Sequence, residues 1–288
     1  MARQAIVEGK FYEKDFGALD KQITGCFTGE KGPGELPITR DDTKKIKAII
    51  APHAGYVFSG SAAAWAYKEI AERHFPKTYI LLGFSHDGED SGISIEDWKT
   101  PFGLIKTDKA LAMHLKENTS LKINETPHIS EHSIEVQLPF LQFVSKDQLA
   151  NLNILPISID RDIDFRTLGE EMYNALKGKD IVFIVSSDFT HYGRGYGYVP
   201  FTTDISARLK EMDEKAIDLI KWLKIDEFGD YLNRTQITIC GYYPILLLMK
   251  ILSMEEDKPK GSLLMYYTSG ELTGDYSMSV SYVSMMFR

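Results

Sequence analysis

The feature that most limits the fold is a set of short apolar runs that do not alternate. Ile46–Ala51 (IKAIIA), Thr78–Phe84 (TYILLGF), Leu152–Ile157 (LNILPI) and Ile181–Val185 (IVFIV) are such runs. A strand with one wet face alternates apolar and polar side chains, whereas a run apolar at consecutive positions is covered on both faces, as in parallel sheets. Between and after the runs lie stretches with helical spacing: Ser61–Arg73, Glu131–Val144, Phe165–Leu176 and Ile205–Leu223. The last has apolar residues at 205, 209, 212, 216, 219 and 223, one face of a helix. Near the end, Ser277, Ser279 and Ser281 alternate with Met278, Val280 and Tyr282, the period of a half-exposed strand. The pattern predicts a βα-alternating core around a mixed sheet.

At ~150 residues per domain, 288 residues make one large domain or two small ones. The one clear linker, Glu30–Pro37 (EKGPGELP), sets off an N-terminal segment over 1–37 with a helix predicted at Asp15–Thr24. That segment is too short to bury a core alone and is expected to pack on the rest, so 1–288 reads as a single domain.

The chain has 33 Lys+Arg against 41 Asp+Glu, a net charge of −8, which opposes electrostatic capture of nucleic acid. With 43% hydrophobic and 26% charged residues it is an ordinary globular chain. The start of the sequence lacks a hydrophobic signal core, and the apolar stretch around Ile245–Met249 stops at Lys250, short of the ~20 residues of a membrane span. Two cysteines, Cys26 and Cys240, cannot build a disulfide framework and suit a reducing compartment. The expectation is a cytoplasmic protein that binds neither nucleic acid nor membrane.

In open α/β sheets, ligands bind beyond the carboxyl ends of the strands. His53 follows the first run, His86 the second, and the Ile181 run leads into Ser186-Ser187-Asp188-Phe189-Thr190-His191, so three of the seven histidines fall just after strands. Cys240 precedes an apolar run, Ile245–Leu252, whose helical amino end would favour a thiolate. A thiolate with two or three imidazoles is a strong ligand set for zinc, iron or copper. Singly, each residue has an ordinary reading: the histidines as bonded loop or core residues, Cys240 as a small buried hydrophobe, Asp188 as a turn cap. Their joint placement at element ends is what points to a site.

Other motifs carry less. His128-Ile129-Ser130-Glu131-His132 matches H-x-x-E-H, but Pro127 and the Ser130-Glu131 cap signal leave His128 outside the helix, so a zinc protease is set aside. His132 and Glu135, three apart, would share a helix face, either as plain bonded surface or as residues that orient metal ligands. Gly193–Tyr198 reads as a flexible surface loop and Cys26 as structural.

Ala51–Tyr56, Phe84–His86, Glu131–Glu135, Val185–Phe189 with His191, and Thr238–Gly241 with Pro244 resemble the Memo family, the mediators of receptor-driven cell motility and their microbial relatives. The resemblance implies a three-layer α/β/α sandwich with a mixed, largely parallel central sheet, similar to the class III extradiol dioxygenases. It implies metal ligation by His53, His86 and Cys240, with Asp188 and His191 as the pocket's other polar residues and His191 as acid/base. It also implies one transition-metal ion, iron or copper ahead of zinc, a small-molecule or peptide ligand, and a radical-SAM pathway partner. A cysteine stands where those dioxygenases resemble a two-histidine, one-carboxylate site, so ring cleavage does not carry over. Three readings follow: a metal-dependent redox enzyme with His191 as general acid or base oriented by Asp188, a non-catalytic protein using the old pocket to bind metal or peptide, and a metal-free hydrolase with Cys240 as nucleophile and His191 as base.

Overall fold

The computed structural model describes residues 2–288. In chain order its strands are β1 (Ala2–Arg3), β2 (Ala48–Ala51), β3 (Thr78–Phe84), β4 (Gly92–Ile93), β5 (Asp97–Thr100), β6 (Gly103–Thr107), β7 (Asn153–Ile159), β8 (Ile181–Ser186), β9 (His191–Gly193), β10 (Gly261–Thr268) and β11 (Met278–Phe287). The helices are α1 (Phe16–Thr28), α2 (Tyr56–Ala71), α3 (Lys109–Asn118), α4 (Thr126–Ile129), α5 (Gln137–Val144), α6 (Phe165–Leu176), α7 (Ile205–Lys221), α8 (Ile225–Thr235), α9 (Tyr242–Ser253) and α10 (Ser269–Thr273).

The strands form one sheet in the order β1-β5-β6-β7-β3-β8-β2-β11-β10, with β4 beside β7 and β9 beside β11. From β6 to β2 the pairs are parallel, while β11 joins β2 and β10 antiparallel. Both faces are covered. Ile50, Ile80, Leu82 and Val185 pack toward α3, α6, α7 and α9, and Ile49, Tyr79, Leu81 and Ile184 toward α1, α2 and α5. That is the α/β/α layering, and it explains the non-alternating runs: each successive strand residue meets a helix layer. Fully burying one such side chain is worth about 1.5–3 kcal/mol before entropy is counted. On the second face α1, capped by Asp15 through the Ala18 amide, buries Leu19, Ile23 and Phe27 against the α2 layer.

Three elements differ from the sequence expectation. β11 is not half exposed: Ser279, Ser281 and Ser284 are buried, because Ser279 Oγ accepts from the Gly270 amide and Ser284 Oγ donates to the Ala62 carbonyl. Small hydroxyls with partners sit in a covered sheet at little cost. α2 begins at Tyr56 rather than Ser61, with Ser59 Oγ bonded to the Ala54 carbonyl. The helix predicted over Glu131–Val144 starts only at Gln137. Pro139 has no amide proton and must lie in a first turn, and the Glu131 carboxylate takes the amides of His132 and Ser133, which holds 131–136 in turns.

Among the described residues, no helix is long and apolar enough to cross a membrane.

Candidate metal centre

β3, β8 and β2 are adjacent and parallel, so their carboxyl ends emerge side by side. His53, His86 and Asp188 each follow one of them within two residues. Cys240 arrives from the other direction, on the segment entering α9. Gly241 makes that approach possible: a Cβ there would lie 2.6 Å from the Ser187 Cβ and 2.7 Å from the Ser186 carbonyl oxygen. One ligand atom from each of His53, His86 and Cys240 lies within 4.8 Å of the other two.

The hydrogen bonds fix which ring nitrogen faces the centre. Ser186 Oγ donates its one proton to the Ser133 carbonyl at 2.7 Å and accepts from Gln137 Nε2 at 2.8 Å. His53 Nδ1, 3.0 Å from the same oxygen, is therefore its proton donor, and the Nε2 lone pair is turned to Cys240 Sγ at 3.2 Å. His86 Nδ1 donates to Glu131 Oε2 at 2.9 Å, which frees its Nε2. His191 Nδ1 faces the carbonyls of Phe189 and Thr238 at 2.9 and 3.0 Å, so its Nε2 is the free nitrogen as well. Three imidazoles thus carry Nδ1 protons engaged with the protein, the arrangement that orients histidine as a metal ligand.

Asp188 Oδ1 accepts the amides of His53 at 2.9 Å and Ala54 at 3.4 Å, which pins the His53 loop, and Oδ2 lies 4.0 Å from His53 Nε2. Its own amide points at Cys240 Sγ from 3.2 Å. Burial pushes the Asp188 carboxyl up and the Cys240 thiol up, the latter with help from the Asp188 charge, and burial with the neighbouring histidines drives His53 down. Burial and the Asp188 charge thus oppose the thiolate that the amino end of α9 was expected to favour. At the outer side the balance reverses. Burial opposes charge on both partners, but the His86–Glu131 hydrogen bond and attraction outweigh it, raising His86 and lowering Glu131.

Of the two residues read as orienting the ligands, His132 joins the cluster, its ring stacked on His86 at 5.1 Å and edge-on to His53 at 5.5 Å. His132 with His86 and Glu131 makes a second set of converging donors. Glu135 points the other way, into the N-terminal segment, where it accepts from Tyr12 Oη at 2.7 Å and from Arg3. The shared helix face predicted for them does not exist because 131–136 is turned. His128 lies apart in α4, its Nε2 on the Gly92 carbonyl. Sequence reasoning had not singled out Glu131, Ser186 or Gln137; Glu131 sat inside a family-like block, and a serine ending a strand gives no signal. His86, His191 and Cys240 line one open pocket of about 460 Å³, walled by Phe84, Ile239 and Tyr242 and edged by Arg161.

The profile of the family described as Memo-like protein matches residues 3–286. MEMO1 family proteins of Methanococcus maripaludis and Methanopyrus kandleri are each 36% identical over the whole of this chain and 99–100% of their own length. The one from Pyrococcus furiosus is 34% identical at the same coverage. A solved structure, an uncharacterized protein of Escherichia coli K12, superposes with a TM-score of 0.56 at 14% identity, over 85% of this chain and all of that one, a likeness of fold alone. With near-complete coverage by both profile and relatives, this chain belongs to the Memo-like protein family.

Proposed function

We propose that this protein binds one transition-metal ion, iron or copper, through His53 Nε2, His86 Nε2 and Cys240 Sγ, and works on a small ligand in the adjoining pocket. The observation that supports the reading is the convergence of three donors from distant parts of the chain, each imidazole already anchored by its other nitrogen. The donor set fits an ion: two imidazoles with their Nδ1 atoms engaged and a sulfur would suit a borderline or soft metal. Bound there, the ion supplies Lewis acidity and one-electron redox chemistry. The chain's own residues do the rest. Asp188 holds the His53 loop, Ser186 and Glu131 fix the ring orientations, and His191 offers its Nε2 to the pocket as proton donor or acceptor.

The 3.2 Å contact of His53 and Cys240 also supports a second reading, a cysteine nucleophile with His53 as base. Metal analysis of protein purified without chelator separates the two. The metal reading expects near-stoichiometric iron or copper in the native protein and its loss in Cys240→Ala and His86→Ala. A metal-free native protein, or a Cys240→Ala variant that keeps its ion, contradicts it.

A further inference from the structure

Arg161 stands at the edge of the same pocket and is not used by anything described so far. Its backbone is held firmly. Asp160 Oδ2 accepts the Ser91 amide at 2.6 Å and hydroxyl at 2.8 Å, the Asp160 amide returns a bond to Ser91 Oγ, and Asp160 Oδ1 takes the Asp162 amide at 2.6 Å. Two neighbouring carboxylates are committed elsewhere: Asp160 to this turn, and Asp164 to the first turn of α6 through Arg166 and Thr167. The Arg161 guanidinium has no ion-pair or hydrogen-bond partner among the described residues. Arg161 is exposed and lines the rim of this pocket beside His86, His191 and Cys240. An arginine with its whole fork free is suited to bidentate capture of an oxyanion. Phe84, Ile237, Ile239 and Tyr242 give the pocket an apolar side, with Thr238 and the His86, His191 and Cys240 group making up the remainder.

We infer that Arg161 is a specificity-determining residue that binds the carboxylate of a small planar or aromatic ligand, holding the ligand's far end toward His86, His191 and Cys240. The inference rests on the proposed function in taking this pocket as the ligand site. A single guanidinium matches the charge and two-oxygen geometry of a carboxylate, and the comparison with phenylphosphonate separates that ligand from a phosphate-like one.

The test is calorimetric titration of the full chain with benzoate, its neutral analogue benzamide, and phenylphosphonate, with metal content measured on the same samples. In the native protein benzoate binds at least tenfold tighter than benzamide. Arg161→Gln abolishes that tenfold margin, the size of one charge-assisted hydrogen-bonded contact, and leaves benzamide binding unchanged. Arg161→Lys restores part of it. Because the side chain has no partners, the melting temperature of Arg161→Gln stays that of the native protein, so loss of binding is not loss of fold. Equal benzoate affinity in native and Arg161→Gln protein, no benzoate binding at all, or tighter binding of phenylphosphonate than benzoate overturns the inference. A protein that holds metal but shows no Arg161-dependent binding fails this inference alone; one that shows Arg161-dependent binding without metal fails only the metal reading.

Discussion

Two polar clusters lie on either side of the 131–136 turn, and Glu131 and Glu135, four residues apart, serve one each. Around Glu135 every group is matched. Its carboxylate takes the amides of Ile6 and Val7, the Tyr12 hydroxyl and the Arg3 guanidinium, and Arg3 also reaches the carbonyls of His128 and Glu131 while lying 4.3 Å above the Trp98 ring. Both charges there, Arg3 and Glu135, are paired and hydrogen-bonded. Around Glu131 the cluster is looser: its carboxylate fixes His86, His53 Nε2 meets Cys240 Sγ at 3.2 Å, and His53, His86 and Cys240 each offer a ligand atom within 4.8 Å of the other two. A closed cluster ties down the N-terminal segment; an open one offers donors to something else. The knot is buried, whereas His86 and His132 are partly exposed, so access and unfilled donors together tell a structural knot from a site.

The largest effect expected from breaking this contrast is on the closed side. Glu135→Ala strands the Arg3 charge in a buried setting and should cost about 3–5 kcal/mol in urea unfolding, yet leave the donors of the open cluster in place. If Glu135→Ala is instead neutral in stability, the knot is not holding the N-terminal segment.

Acid gives the next effect, through His128, whose position beside the knot is buried with Nδ1 unpartnered. Burial lowers its pKa from 6.5 to about 4, so the unfolded chain takes up a proton that the folded protein refuses. Its contribution is fully present above pH 6.5 and is lost as pH falls toward 4, about 3 kcal/mol in all. Asp213 acts oppositely: burial raises it to about 6, so its contribution is present below 3.8 and is lost as pH rises through 6. Unfolding between pH 7 and 4.5 should show His128→Gln less acid-sensitive than native protein and Asp213→Asn more so. Equal pH slopes in all three proteins would break the assignment.

On the open side, Glu131→Gln keeps the shape but weakens the orientation of His86. Metal affinity by chelator competition should fall tenfold to a hundredfold. An unchanged affinity means that Glu131 is only a turn cap. Smallest of all, Ser186→Ala removes the acceptor of His53 Nδ1 and should destabilise the protein by about 1 kcal/mol with a modest loss of metal affinity. No change in either quantity would mean that His53 is oriented by Asp188 alone.

Much of this was legible in the sequence because two signals were strong. Thr78–Phe84 is apolar throughout and is a strand over those same residues, and Ile181–Ser186 runs one residue beyond its expected end. Parallel strands then carry His53, His86 and Asp188 to one sheet edge by topology, with no need of fine geometry. What was not legible came from tertiary bonding. The Glu131 carboxylate bends back onto the amides of His132 and Ser133 and the helix begins only at Gln137, so His132 and Glu135 part company. The serines of β11 look solvent-facing by period, and only the helix layer above them explains their burial. Cys240 was found by its place before a helix, but the state of its thiol is set by Asp188 and burial, which a sequence does not display.

X-ray absorption at the edge of the metal carried by the native protein, purified without chelator, addresses the open cluster most directly. The account predicts one sulfur scatterer near ~2.3 Å and two imidazole nitrogens near ~2.0 Å, with the sulfur shell lost in any metal that Cys240→Ala retains. A shell of light atoms only, with no sulfur in the native protein, would contradict it.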